Sequence, residues 1–170
     1  MKKDPQLATP DGELVGPRIH GMTFRRLPPL EDERGDVTEL FRPAWGFHPD
    51  PLVYVYRVML RPGALKGWVV HRKQDDRIAV VDGVMTWAFF DHREQSPTYK
   101  LLSVLTFSER NRTLFNIPAG VFHAVKNTGS ADAVFINMPN RAYDHADPDK
   151  YRLPLKNDLI PFDFSRPFRG

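Results

Sequence analysis

Two histidines and one aspartate stand at spacings that could bring them to one place. His123 follows an alternating apolar stretch, LFNIPAGVF, that a proline and a glycine interrupt. His71 closes the stretch GWVVH, and four residues separate it from Asp76. Two imidazoles and a carboxylate in one cavity can exchange protons with a substrate, or they can bind a divalent metal ion. The residue types leave both kinds of chemistry open.

Strands must position these side chains, because the chain has an all-β pattern. Stretches rich in β-branched and aromatic residues, bounded by Gly, Pro, Asn or Asp, lie at 52–60, 76–91, 100–108, 112–118 and 132–139. Helical periodicity is scarce, and short helical turns are predicted only at 108–112 and 145–151. Alternate residues of a strand share a face, and neighbouring strands of a barrel aim those faces at one interior. We therefore expect His71 and His123 to meet inside a barrel or jelly roll.

The composition limits the classes of protein to which the chain can belong. At 170 residues and 41% hydrophobic, it suits one domain over 1–170, with residues 1–22 as an extended N-terminal arm. The chain has no cysteine, which excludes disulfides and thiolate metal sites and is compatible with a reducing compartment. No apolar run approaches the roughly 18 residues of a membrane span. We predict a cytoplasmic protein that does not bind membranes.

The charge pattern points to a small ligand. The net charge is +3, but the basic residues are spread along the chain and interleaved with acids. A nucleic-acid-binding protein would cluster them in a stripe. We predict no nucleic-acid partner and expect a small anionic ligand instead.

The histidine segments resemble the motifs of the cupin superfamily. The second cupin motif, Pro-x-Gly-x-x-His-x-x-x-Asn, is matched in all four positions and ends at Asn127. The first motif expects His-x-His, an acid and a glycine, and its later positions are met by His71, Asp76 and Gly83. Val69 stands where the first histidine would be. The resemblance implies the cupin fold, a double-stranded β-helix or jelly-roll barrel.

Five segments, in the correct order, resemble signatures of the dTDP-4-dehydrorhamnose 3,5-epimerases, the sugar-nucleotide branch of the cupins. They are DERGDVTELF (32–41), LKGWVVH (65–71), DHREQSPTY (91–99), LTFSERNRTLFNIPAGVFHAV (105–125) and AYDHADPDKYRLP (142–154). In that family a histidine removes a proton beside the 4-keto group, a lysine stabilises the enolate, and a tyrosine returns a proton to the opposite face. Such an opposed pair suits epimerisation, which removes and restores a proton on different faces of one carbon.

The resemblance also implies that the family's catalytic set is altered here. Aligned through the neighbouring glycines, the family's histidine falls on Val69, its lysine near Asp76 and its tyrosine on Asn137. We therefore predict that His71 acts as the base, that His123 supports it, and that Tyr56 or Tyr54 is the acid. The resemblance places substrate-binding roles on Arg34, Glu39 and Lys66, and we predict that Tyr54 and Asn137 also bind the substrate.

Three functions follow from these residues. The first is a cofactor-free enzyme that epimerises, ketoisomerises or dehydrates a sugar linked to a nucleoside diphosphate. The second is a metal-dependent cupin with His71, Asp76 and His123 as ligands of iron or manganese, against which the missing histidine at Val69 counts. The third is a nucleotide-sugar-binding protein that has lost the reaction. The family resemblance further implies a homodimer in which a strand within 23–40 carries Arg34 and Glu39 to the partner.

Overall fold

Two five-stranded antiparallel sheets face each other in the computed structural model, which describes residues 18–165 together with Pro10 and Gly16. The strands are β1 (Phe24–Arg26), β2 (Leu30–Asp32), β3 (Gly35–Val37), β4 (Tyr56–Leu60), β5 (Leu65–Val70), β6 (Asp76–Asp82), β7 (Val84–Asp91), β8 (Leu102–Ser108), β9 (Thr113–Ile117), β10 (Val121–Asn127), β11 (Ala133–Asn137) and β12 (Tyr151–Arg152). One sheet has the order β1-β9-β6-β11-β4 and the other β12-β5-β10-β7-β8. The all-β jelly-roll prediction is confirmed.

The local sequence patterns predict most of the strands, but they miss the break between two of them. The predicted strand 76–91 is two strands, β6 and β7, joined at Gly83. Gly83 has a φ of 72°, and a Cβ there would lie 2.6 Å from the Cβ of Ala133, so the turn requires glycine. The turn predicted at 108–112 is a 3₁₀ helix over Glu109–Asn111, and a second 3₁₀ helix spans Pro43–Trp45. No helix forms over 145–151.

Aromatic side chains fill the space between the sheets. Trp87 and Phe89 project inward from β7 and meet Phe115 from β9 and Phe135 from β11, with ring centroids 5.1–6.1 Å apart. Offset and edge-to-face contacts of this kind add to the stability that burial of the apolar area provides. Ile19 and Met22 join this core, although they belong to the predicted arm, most of which lies outside the described residues.

The C-terminal segment covers the outer face of the second sheet. Ile160 and Phe164 pack on Trp68 of β5, beside Ala124 of β10. Strands β5 and β10 lie close together at Gly67. A Cβ at this position would lie 2.2 Å from the Cβ of Ala124, so only glycine allows the approach. The strand that leads to His71 is therefore packed on both of its faces.

A buried arginine holds the segments behind the first sheet. Arg77 is fully buried, and its guanidinium donates to the carbonyl oxygens of Asp50, Pro51, Met138 and Pro139 at 2.6–3.0 Å. These carbonyls belong to the chain that enters β4 and to the chain that leaves β11. Arg77 thus fixes the backbone on either side of the functional residues described below.

The short hairpin of β2 and β3 projects from the barrel. It pairs only within itself among the described strands, and it exposes two apolar side chains, Leu30 at 73% and Val37 at 67%. No helix in the described part of the chain is long and apolar enough to cross a membrane.

Candidate active site

A cavity of about 510 Å³ opens at one end of the barrel. At this end β4 and β6 begin, and β5 and β11 end, so side chains from both sheets converge. The walls include Tyr54, Tyr56, His71, Gln74, Tyr143 and Lys150. Polar groups from two facing sheets around one concave space are the usual setting of a ligand site.

The structure brings His71 and His123 together. His123 lies in β10 directly opposite Val69 of β5, and His71 follows β5 immediately. The two imidazole ring centroids are 5.6 Å apart, and each residue is 9% exposed. His71 lines the cavity, and His123 is its buried neighbour.

Asp76 lies buried between the two histidines. Its Oδ2 atom is 3.3 Å from Nε2 of His71 and 3.7 Å from Nε2 of His123. Its Oδ1 atom accepts a hydrogen bond of 2.7 Å from the side-chain amide of Gln74. Burial raises the pKa of Asp76, but the hydrogen bond and charge of His71 and the charge of His123 outweigh burial and lower that pKa to about 2. Asp76 is consequently a carboxylate at neutral pH.

His71 is anchored through its Nδ1 atom, and its Nε2 atom lies near Asp76. Its Nδ1 donates to the backbone carbonyl of Asp149, which can only accept, so Nδ1 carries a proton and Nε2 faces Asp76. The carboxylate of Asp149 in turn accepts the backbone N–H groups of residues 72–74 at 2.7–3.0 Å. Burial lowers the pKa of His71, but the hydrogen bond to Asp76 and the charge of Asp76 prevail, and the pKa is raised. A base of raised pKa is a stronger proton acceptor.

His123 has the opposite electrostatic environment. Burial, opposed by the charge of Asp76, lowers its pKa to about 4, and the charge of His71 lowers it further. Its Nδ1 lies 3.2 Å from the carbonyl oxygen of Val121 and donates to it, which leaves Nε2 as an acceptor facing Asp76. The neutral His123 therefore permits a positive charge on His71 without a second cation beside it.

Tyr56 and Asn137 form a second pair on the other sheet. They are directly opposite each other in β4 and β11, and the amide of Asn137 donates a 2.8 Å hydrogen bond to the hydroxyl oxygen of Tyr56. Burial, and then the charge of Asp76, raises the pKa of Tyr56 to about 12. Tyr56 stays protonated at neutral pH and can donate its O–H to a ligand. Tyr54 packs beside it, with ring centroids 5.4 Å apart.

Three predicted binding residues lie outside this cavity within the chain. Arg34 sits in the exposed turn of the β2–β3 hairpin and pairs with Asp32 at 2.5 Å. Glu39 is exposed and forms an ion pair with Arg42. Lys66 is exposed on β5 and does not line the cavity. A single chain therefore brings together the predicted residues at 54, 56, 71, 123 and 137, but not these three.

Sequence reasoning missed several residues that shape the site. Gln74 could have been found, because it lies two residues before Asp76 and neighbouring alternate residues share a face. Asp149 and Lys150 gave no such signal. They lie far along the chain from His71, and the contact between Asp149 and His71 uses a backbone carbonyl that any residue type could supply.

The same cluster also satisfies the first requirement of a metal site. One ligand atom each from His71, Asp76 and His123 lies within 4.8 Å of the others. Two imidazoles and one carboxylate suit iron(II) or manganese(II). The pairing of His71 with Asp76 also suits proton transfer, with the neutral His123 beside it.

Comparisons with known proteins identify the family of this chain. Residues 17–154 match the family model of dTDP-4-dehydrorhamnose 3,5-epimerase. The chain is 34% identical over 156 residues to the "Probable low-salt glycan biosynthesis epimerase" of Haloferax volcanii, covering 91% of this chain and 99% of the relative.

Two crystal structures share the fold. A dTDP sugar isomerase of Desulfovibrio desulfuricans has a TM-score of 0.81 and 24% identity, with 86% of this chain and 92% of that chain covered. The 3'-monoepimerase of Streptomyces bikiniensis, in complex with dTDP-quinovose, has a TM-score of 0.71 and 25% identity over 83% and 74% of the two chains. The chain belongs to the dTDP-4-dehydrorhamnose 3,5-epimerase family.

Proposed function

We propose that this protein transfers protons at a carbon next to the carbonyl group of a sugar linked to a nucleoside diphosphate. The observation that carries the proposal is the pairing across the cavity: His71 with Asp76 at the end of β5, and Tyr56 with Asn137 on the facing sheet. A base and an acid from opposite sheets can reach opposite faces of one sugar carbon. That arrangement suits epimerisation.

His71 begins the reaction in this proposal. Nε2 takes the proton from the carbon, the C–H electron pair forms a C=C bond, and the carbonyl π pair moves to oxygen to give an enolate. Asp76 stabilises the imidazolium that results, since its carboxylate lies 3.3 Å from Nε2. The Asp149 carbonyl keeps the ring in the required orientation.

Tyr56 completes an inversion. Its O–H protonates the carbon from the other face while the enolate oxygen becomes a carbonyl again, and solvent later returns a proton to Tyr56 and removes one from His71. Asn137 holds the phenol oxygen and leaves its O–H directed away from the amide. Ketoisomerisation or dehydration would begin with the same proton removal by His71 and differ in the later protonation or loss of a leaving group.

Basic side chains in the cavity wall support a nucleoside diphosphate as part of the substrate. Lys73 and Arg141 border the cavity, beside the acids Asp144, Asp147 and Asp149, and diphosphate oxygens are strong acceptors for such cations. The monoepimerase relative that was crystallised with dTDP-quinovose supports a dTDP-linked sugar as the first candidate. A cytoplasmic location remains the prediction from the sequence.

A homodimer would complete the binding site. The β2–β3 hairpin exposes Leu30 and Val37, and its turn carries Arg34, which does not line the cavity described above. We propose that the hairpin packs on a second copy and brings Arg34 and Glu39 to that copy's cavity. Light scattering should give about twice 19.6 kDa at micromolar concentration, and a mass of 19.6 kDa would exclude the dimer.

Deuterium exchange tests the reaction directly. The protein is incubated in D₂O with the 4-keto sugars of dTDP, UDP, GDP and CDP, and deuterium at C3 and C5 is followed by NMR. Exchange with at least one sugar is expected. A thermal shift without exchange would favour the binding protein, because a ligand at 100 times its Kd stabilises the native state by about 2.7 kcal/mol. Absence of both would overturn the nucleotide-sugar proposal.

A metal-dependent enzyme is the second candidate, favoured by the 4.8 Å grouping of His71, Asp76 and His123. Elemental analysis of protein purified without chelator distinguishes the two. A site of three protein ligands should retain its ion, so one equivalent of iron or manganese would support the second candidate. We expect less than about 0.1 equivalent, which would remove it.

A further inference from the structure

Removal of a proton beside a carbonyl creates negative charge on oxygen, and that charge needs a donor in the site. In the proposed reaction His71 takes the proton and Asp76 stabilises the imidazolium. Tyr56 protonates the second face of the carbon. None of these groups is assigned to the oxygen. Electrostatic stabilisation of a developing oxyanion is a large part of catalysis in reactions of this kind.

A cationic side chain stands beside the anchor of the base. Lys150 borders the cavity, and it directly follows Asp149, whose carbonyl oxygen holds Nδ1 of His71. The next residue, Tyr151, pairs with Val70 in the strand that leads to His71. The backbone of Lys150 is therefore fixed on both sides to the segment that carries the base.

Lys150 is exposed and borders the cavity, and charged groups of both signs lie around it. Desolvation and the positive charge of Arg152 lower the pKa of Lys150, Asp76 raises it, and Lys66 lowers it. Lys150 is thus within electrostatic reach of the buried carboxylate that pairs with His71. Arg141, another cation in the wall, is tied instead to the carbonyl of Lys73 by a 2.9 Å hydrogen bond.

We propose that Lys150 is a further catalytic residue, whose ammonium group donates to the carbonyl oxygen of the sugar and stabilises the enolate. The inference rests on the proposed function. No covalent bond forms at Lys150. It remains protonated while His71 takes the proton, and it releases the oxygen when the carbonyl is restored. Asp149 would then orient His71, and the neighbouring Lys150 would stabilise the negative charge of the enolate oxygen.

The test compares Lys150→Met with Lys150→Arg, and uses Lys156→Met as the matched control because Lys156 is exposed and lies outside the cavity wall. Each variant is measured for the deuterium exchange rate at saturating keto sugar and for the Kd of dTDP by calorimetry. Lys150 is itself exposed, so we expect all three variants to fold, which circular dichroism checks.

Lys150→Met should lose about 100-fold or more in exchange rate at saturation, as when an oxyanion donor is removed, with the Kd of dTDP changed less than about twofold. Lys150→Arg should retain part of the rate, and Lys156→Met should match the native protein. A folded Lys150→Met that exchanges at the native rate would overturn the inference. A weaker Kd without loss of exchange would also overturn it and make Lys150 a phosphate ligand. If the native protein exchanges no sugar, the proposed function fails first and the inference falls with it.

Discussion

Nε2 of His71 lies 3.3 Å from Oδ2 of Asp76, a buried carboxylate. The contact raises the pKa of His71 and places an anion in the site. In the proposed reaction, the positive charge that an enolate requires must therefore come from another residue. This pairing is the basis of the predictions below.

Replacement of His71 by alanine should remove the base. We expect His71→Ala to lower the rate of deuterium exchange into the bound keto sugar by about 10²–10⁴-fold, the range for a positioned general base. His20→Ala is the control, because its side chain is exposed away from the cavity wall. Exchange at the native rate in His71→Ala would show that another group removes the proton.

Tyr56→Phe should separate proton removal from inversion. His71 can still take a proton and return a deuteron on its own face, so exchange should continue, whereas the amount of inverted sugar should fall by about 100-fold or more. NMR of the sugar after quenching reports both quantities in one sample. Equal loss of exchange and inversion would mean that Tyr56 does not act as a separate acid on the second face.

The pH dependence of exchange should report the His71–Asp76 pair. The pKa of His71 is raised, so the neutral base forms only as the pH rises through a value above 6.5, and exchange should increase over that window. In Asp76→Asn the carboxylate charge is lost while burial remains, so the midpoint should move to lower pH. An NMR titration of the His71 ring gives the same pKa without substrate. A midpoint unchanged in Asp76→Asn would contradict this coupling.

Asp91 should stabilise the fold in a pH-dependent way. Its buried carboxylate accepts hydrogen bonds from Arg93, Ser96 and Thr98 at 2.6–2.8 Å, and these donors overcome the effect of burial and hold its pKa well below the usual range. Because the folded-state pKa is lowered, the stabilisation is complete above the unfolded pKa of about 3.9 and is lost as the pH falls below it.

We therefore expect Asp91→Asn to lower the free energy of unfolding by about 3 kcal/mol at pH 7, since the Arg93 charge loses its partner. The difference between native and variant should shrink below about pH 4. Urea unfolding at both pH values measures it, with the exposed Asp82→Asn as control. A difference that is the same at both pH values would show that the ionised carboxylate contributes nothing.

Strand alternation made part of the site predictable. His71, His123 and Asp76 were placed together because their spacing fits strands that face one interior, and spacing is a local property of the chain. The same sequence did not reveal what Asp76 does. Its contacts with His71 and Gln74 show a hydrogen-bond acceptor at the centre of the site, which spacing cannot distinguish from a metal ligand.

The other parts of the candidate site depend on contacts between residues that are far apart in the sequence. Asp149 meets His71 through a backbone carbonyl, and no pattern of side chains encodes that contact. Arg34 was placed in the binding site by resemblance, but the hairpin that carries it projects from its own barrel. In the proposed homodimer the hairpin would pack on a second molecule, and no local pattern of the sequence encodes such a contact.

The cover of β5 by the C-terminal segment has a consequence for the order in which the protein matures. Trp68 precedes its partners Ile160 and Phe164 by more than 90 residues, and every proposed catalytic side chain is synthesised before those partners. A nascent chain that has reached Lys150 holds every one of them, yet the outer face of the strand before His71 is still bare. During vectorial synthesis the reactive groups therefore exist before the scaffold that holds them, and activity should appear only when Ile160 and Phe164 pack on Trp68.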